Sequence, residues 1–264
     1  MKALRWLALL VLPPLLGGTN AAAAEKQKVQ ILADDNYPPY SYLDLSNKPA
    51  GLYVDLINAV SARMKAFSIQ VQMVPWKRGL SMVEQGEALA IMAPYFRPKS
   101  RPWIRPYSEP LFRETVVVVC RKDQVPPSPI VWPDSFFGKN FGNTLGFQTA
   151  DAAFFNAVAA GQIGLEEAPG IIAHLRKLMV RRLDCYVNDR LAIAVSLRDI
   201  HETMDSAGLA QAYEIKGEDA FLGFSANARN VALKDAFVAE FNHSLAELRA
   251  SGEAARIMEP AANE

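Results

Sequence analysis

Cysteine, histidine and net charge are all scarce in this chain. Only two cysteines (Cys120, Cys185) and three histidines (His174, His201, His243) occur in 264 residues. The histidines show no ligand spacing, so neither a metal nor another cofactor is expected. With 28 basic and 28 acidic side chains the formal net charge is zero. A chain without a positive field is a poor match for nucleic acid, whose phosphates call for clustered cations. Beyond the first residues no segment is apolar enough to span a bilayer. There is no fixed-period repeat and no low-complexity tract.

The N-terminus carries the first positive signal. Lys2 and Arg5 precede an apolar run from Trp6 to Leu16, broken by Pro13-Pro14, and small residues end at Ala21-Ala22-Ala23-Ala24. That is the layout of a secretory signal peptide, so residues 1–24 are expected to be removed, with export to a bacterial periplasm. No cysteine near the cleavage site offers a lipid anchor. The mature chain, about 240 residues, is long enough for one large or two modest domains. An oxidising compartment permits a disulfide. Cys120 and Cys185 both lie in strand-like apolar runs, where free cysteine acts as a small hydrophobe, and their spacing leaves pairing open.

Proline stands at positions 94, 98, 102, 106 and 110. Arg97, Lys99, Arg101 and Arg105 fill the gaps together with Tyr95, Phe96, Trp103 and Tyr107. Each interior proline removes a backbone donor and clashes with the preceding turn, so no helix is expected, and no central strand. A stiff loop bearing cations and flat rings is a place for binding groups.

Around it, strands and helices alternate. Val29–Ala33 reads as a strand, and Asp34 to Tyr40 as a turn. Leu56, Ile57, Val60, Met64 and Phe67 follow a helical face, and Ile69, Val71 and Met73 alternate as a strand. Leu80 and Val83 mark a short helix stopped at Gly86, and Leu89–Met92 a buried strand. Four valines make a strand of Glu114–Cys120. A second series follows: a strand Thr144–Phe147, a helix from about Asp151, a helix through Ile172, Leu175 and Leu178, and a strand Leu183–Val187. Phe221–Ala226 is another strand, and Leu233, Phe237, Phe241, Leu245 and Leu248 stripe a final helix ending near Gly252. This order predicts an α/β protein with parallel sheet. Two lobes are expected, residues 25–115 with 221–264 and residues 116–220, joined by two hinge crossings. The ligand cleft then lies between them, beyond the strands' carboxyl ends.

Several short motifs occur in order: Tyr37-Pro-Pro-Tyr-Ser41, Gly51-Leu-Tyr-Val-Asp55-Leu, Trp76-Lys-Arg-Gly-Leu80, Gly86-Glu-Ala-Leu-Ala90, Arg101 with Tyr107-Ser108-Glu-Pro110, and Leu183-Asp184-Cys-Tyr-Val-Asn-Asp189. Together they resemble the family 3 extracellular solute-binding proteins, periplasmic receptors of polar amino-acid ABC importers, over essentially the whole mature chain. The resemblance implies a two-lobed, type II periplasmic-binding-protein-like fold, capture of a small amino acid or related carboxylate by hinge closure, an inner-membrane ABC permease as partner, a monomer, and no catalysis.

It also implies a site. Arg101, six residues before Tyr107-Ser108, matches the family's carboxylate clamp, a role suited to a planar, always-charged guanidinium. Arg97 and Arg105 lack that register and read as surface or supporting cations. Tyr37 and Tyr40 match an aromatic wall, which Trp76 joins. Asp189 matches the partner of the ligand's ammonium, and Asp184 a structural residue. Tyr95, Thr149 and Asp151 complete the expected ligand-binding set. Three departures stand out: Leu89 replaces an aspartate, Pro98 replaces a ligand-holding threonine, and Asp151 stands near a helix start, where it either caps the helix or repels an anion. Two other readings share the scaffold. One is an enzyme resembling periplasmic cyclohexadienyl/arogenate dehydratases, with Glu87, Glu109 and Asp151 as acid–base candidates; the other is a ligand-sensing subunit.

Overall fold

The structure, a computed structural model, describes residues 25–201 and 207–262. Residues 1–24, expected from the sequence to be a signal peptide, lie outside the described residues. No described helix is long and apolar enough to cross a membrane.

The chain opens with β1 (Gln27–Asp34), followed by a small antiparallel sheet of β2 (Asn36–Tyr37), β3 (Ser41–Leu43) and β4 (Pro49–Ala50). Helix α1 (Leu52–Arg63) buries Tyr53, Leu56, Ile57 and Val60, the one-face spacing of an amphipathic helix. Its first amides bond to turn carbonyls, Leu52 to Pro39 and Tyr53 to Tyr40, both at 2.9 Å. Gly51 before it sits at φ 112°, and a Cβ there would meet the Tyr40 carbonyl oxygen at 2.5 Å. Only glycine lets the helix start this close to the tyrosine-bearing turn.

Strand β5 (Phe67–Val74) pairs parallel with β1 over its whole length, from Gln27↔Phe67 to Asp34↔Val74. Helix α2 (Trp76–Glu84) returns the chain to β6 (Ala90–Tyr95) on the other side of β1. Next come β7 (Ile104–Tyr107) and β8 (Phe112–Arg121), then β9 (Asn140–Thr144), α3 (Ala152–Ala159), β10 (Gly164–Ala168), α4 (Ile171–Met179), β11 (Cys185–Asp189) and α5 (Arg190–His201). The chain ends with β12 (Leu209–Ser225), α6 (Val231–Ala250) and α7 (Glu253–Ala262).

One mixed sheet runs in the order β10-β9-β11-β8-β12-β6-β1-β5, with β7 beside β12. It has the two-lobed, type II arrangement, and β8 and β12 are the strands that link its halves. Strand β12 pairs with β8 from Leu209 to Ala220, then with β6 through Phe224.

Several sequence readings change, the first being that the sheet expected to be parallel is mixed, since β8 and β12 run antiparallel to their neighbours. The strand expected at Phe221–Ala226 begins at Leu209 and is 17 residues long; its first half, where Leu209, Ala212, Tyr213 and Ile215 are only partly buried, is held by the valine strand β8. The strand expected at Thr144–Phe147 is Asn140–Thr144, because Asn143 is buried there rather than exposed. Strand β10 was not foreseen, since its glutamates mask an edge position of the kind charge often protects. The proline segment does contain strands. Pro94 lies in β6 beyond the register with β1, at a shift in pairing with β12, and Pro106 lies in the short β7, so neither must donate a ladder bond.

Cys120 lies directly opposite Cys185 in the β8–β11 ladder, and the two form a disulfide with Cα atoms 4.0 Å apart. Their sequence separation of 65 residues hides this adjacency. A crosslink of that span constrains the unfolded chain, so reduction or Cys120→Ser should lower stability by about 2–4 kcal/mol. Urea denaturation with and without reductant measures it; coincident midpoints would show that the bond contributes nothing.

Candidate functional site

The parallel strands β1 and β6 end at Asp34 and Tyr95, and the turn after β9 faces them. Between these lies a cavity with ≈ 420 Å³ of empty space, part of it open to solvent. Asp34, Tyr37, Trp76 and Tyr95 line one side, Phe147 and Thr149 another, with Arg101 from the proline segment and Glu114 from β8. This is the position that open α/β sheets assign to ligands.

Arg101 is buried at 5% exposure. Its Nη2 donates to the Gly146 carbonyl at 2.8 Å, and its guanidinium carbon lies 5.7 Å from the Trp76 ring centroid. Trp76 Nε1 donates to the same carbonyl at 3.2 Å. Among the described residues no carboxylate pairs with Arg101. Burial lowers its pKa to about 10, Tyr107 works against that shift, and the charge of Arg97 adds to it. It stays cationic at neutral pH.

Arg97, expected as a surface or supporting cation, is a clamp. It donates to the Gln148 carbonyl from Nε and Nη2 at 3.2 and 2.9 Å and pairs with Glu218 at 2.9 Å. Ser100 Oγ donates to Gln148 Oε1 at 2.6 Å. The turn these residues grip is shaped from below by Asn143, whose Nδ2 donates to the carbonyls of Thr144 and Phe147. The Gly146 amide donates to Glu167 at 3.2 Å, so it is already engaged.

The cavity floor is a carboxylate ringed by phenols. Glu114 accepts hydrogen bonds from the hydroxyls of Tyr37, Tyr53 and Tyr95 at 2.6, 2.5 and 2.7 Å. Burial, reinforced by the charge of Asp189 and opposed by the three hydroxyls, pushes its pKa up to about 8. Asp34 is pushed up to about 7, chiefly by burial, with the Asn36 amide holding it back and Asp35 adding repulsion.

Of the expected site residues, Arg101, Tyr37, Trp76, Tyr95 and Thr149 line the cavity. Three do not, and each is engaged elsewhere. Asp189 accepts from the Ala192 and Thr115 amides at 2.9 and 3.1 Å, which makes it the first cap of α5. Tyr40 donates its hydroxyl to Asp189 at 3.0 Å. Asp151 caps α3 through the Phe154 amide at 3.1 Å and accepts from Trp132 Nε1. Glu87 and Glu109 are likewise outside the cavity lining. The sequence reading missed Asp34 and Glu114. Asp34 ends a parallel strand, which is itself a pointer to ligand contact. Glu114 shares the inward alternation of Val116 and Val118, so a charged residue at a core position was the available signal.

A carboxyl group held protonated by burial ties stability to pH. The unfolded chain ionises near 4.5 while folded Glu114 keeps its proton until about 8. Its contribution is therefore full below pH 4.5 and lost as pH rises to about 8, by up to about 1.4 kcal/mol per pH unit. Glu114→Gln, which cannot ionise, should become progressively more stable relative to the natural protein across that window. Denaturation midpoints at pH 5, 6.5 and 8 check this; a constant difference would place the titration elsewhere.

Comparison with known proteins agrees with this architecture. Among solved structures, an ancestral arginine-binding protein bound to arginine matches at TM-score 0.71 and 18% identity, covering 89% of this chain and 97% of that one. A histidine kinase sensor domain similar to periplasmic binding proteins also matches at TM-score 0.71 and 18% identity, with 89% and 95% covered. An ancestral amino-acid-binding protein, described as a precursor of cyclohexadienyl dehydratase, matches at 0.67 and 13%, with 88% and 93% covered. No curated protein matches the chain. The family described as bacterial extracellular solute-binding proteins, family 3, matches over residues 29–262. The chain belongs to the family 3 bacterial extracellular solute-binding proteins.

Proposed function

We propose that the mature chain is a monomeric periplasmic receptor that captures a small amino acid or related carboxylate and presents it to an inner-membrane ABC permease. The observation that carries this reading is Arg101, a buried guanidinium at the cavity wall with no acidic partner among the described residues. A buried cation is costly unless paired, and a ligand carboxylate would supply the missing charge in bidentate geometry. Trp76, Tyr37, Tyr95 and Phe147 give the apolar walls that small-molecule sites normally have.

Hinge closure follows from the lobe boundaries we assign, residues 25–115 with 221–264 against 116–220. Both boundaries fall within the linking strands β8 and β12. Arg97, Ser100, Arg101 and Trp76 then belong to one lobe and the Gly146–Ala150 turn they grip to the other, so these hydrogen bonds form on closing. The arginine complex of the ancestral relative supports an amino acid as ligand. The sensor-domain relative is the counterpart of a sensing role.

A thermal-shift series with amino acids tests the receptor reading, because ligand at about 100 times its Kd stabilises by about 2.7 kcal/mol. Arg101→Ala should weaken binding by about 2–5 kcal/mol, the usual loss when one partner of a buried charge pair is removed. Undiminished shifts in that variant would take the clamp out of the reading.

One observation favours a second reading, an enzyme of the cyclohexadienyl/arogenate dehydratase kind. Asp34 and Glu114, which line the same cavity as Arg101, are pushed up by burial to about 7 and about 8, the range suited to a general acid. Incubation with prephenate or arogenate should yield no product. Turnover lost in Glu114→Gln would replace the receptor with the enzyme.

A further inference from the structure

One basic and two acidic side chains share the cavity, and among the described residues none of the three has an oppositely charged partner. Arg101 meets a carbonyl and an indole face. Asp34 accepts the Asn36 amide at 3.1 Å. Glu114 accepts three phenols. With all three ionised, the wall holds one positive and two negative charges, more negative than a neutral zwitterion balances. A ligand bearing one carboxylate and an additional cation would balance it.

Glu114 is the better seated of the two acids. Its three hydroxyl partners come from β2, α1 and β6, so its position is set by elements that converge on it from three directions. The residues Tyr37 and Tyr95 also line the cavity beside Glu114. Resting on the receptor reading above, we propose that Glu114 is the charge-selecting group of the site. The ligand is then an amino acid with a cationic side chain, its carboxylate on Arg101 and its cation against Glu114, and its arrival displaces one proton from Glu114 to solvent.

The proton balance follows from the groups that face Glu114. These are Tyr37, Tyr53 and Tyr95, with Tyr40 and Asp189 behind them and Glu218, paired with Arg97, opposite on β12; among the described residues no cation pairs with Glu114 itself. All three hydroxyls are placed to donate, which suits an ionised carboxylate; a protonated one must lose a donor or turn it round. In the free protein, burial and the charge of Asp189 nevertheless hold the pKa at about 8. A ligand cation supplies the compensation that the proton otherwise provides.

L-arginine and L-citrulline, nearly equal in shape but different in charge, separate this role from a structural one. Titration calorimetry of the natural protein, Glu114→Gln and Asp34→Asn from pH 6 to 9, in two buffers of different ionisation enthalpy, is the experiment. The natural protein should bind arginine about tenfold or more tighter than citrulline, as expected for a bond between charged groups. Proton release should accompany arginine alone. Below pH about 8 the arginine affinity should fall by up to about tenfold per pH unit, while that for citrulline stays level. Glu114→Gln should lose the arginine preference, whereas a preference lost in Asp34→Asn and kept in Glu114→Gln would move charge selection to Asp34 and overturn the proposal. Citrulline bound as tightly as arginine, with dependence on Arg101, would leave the receptor standing and overturn charge selection. A preference retained in Glu114→Gln would also overturn it. Binding of no amino acid would overturn both readings. The preference and the proton release are read on the natural protein, so a variant that fails to fold does not shield the proposal.

Discussion

The antiparallel pairing of β8 with β12 is the constraint on which the rest of this molecule depends. Strand β8 carries Glu114 near its start and Cys120 near its end. The same ladder places Glu218 opposite Glu114, where Glu218 can hold Arg97, while Cys120 reaches Cys185 on the strand beyond. Cavity floor, Arg97 clamp and crosslink are thus consequences of one register. A one-residue slip would turn Glu114 and its valines to the other face of the sheet.

The charged groups that line the cavity are held by backbone groups and phenols rather than by ion pairs. Gly146 offers one carbonyl to both Arg101 and Trp76, and the amides of Thr115 and Ala192 hold Asp189. Helix capping therefore takes Asp189 and Asp151 out of the cavity, and leaves Asp34 and Glu114 as its acids. Four tyrosines, Tyr37, Tyr40, Tyr53 and Tyr95, satisfy the two innermost carboxylates. Such a network is stable only when every member finds a partner, and here the donors come from separate segments packed through the start of α1.

Periodicity made most of the fold legible. The faces of α1, α4 and α6, the alternation in β5 and the valine run of β8 are local patterns, and each marks an element that exists. The elements misread lack a plain buried face: Asn143 is buried in β9 despite its polarity, β10 carries two glutamates and no fully buried residue, and the first half of β12 is only partly buried. Five of the eight expected site residues line the cavity, since motif order places their segments near it. Spacing could not show that Asp189 turns to α5 and Asp151 to α3, because a carboxylate after a strand can either cap the next helix or face a ligand.

By itself, the sequence determined the α/β class, the strand and helix order, the family likeness and the singling out of Arg101 from its proline-spaced neighbours. Those rest on local pattern and motif register, which are written along the chain. Tertiary structure alone decided that Cys120 meets Cys185, that Arg97 grips the opposite turn, and that Glu114 lies under three tyrosines. Each of these joins residues far apart in sequence, and the partner of a side chain is chosen by which surfaces the packed sheet brings within a few ångströms.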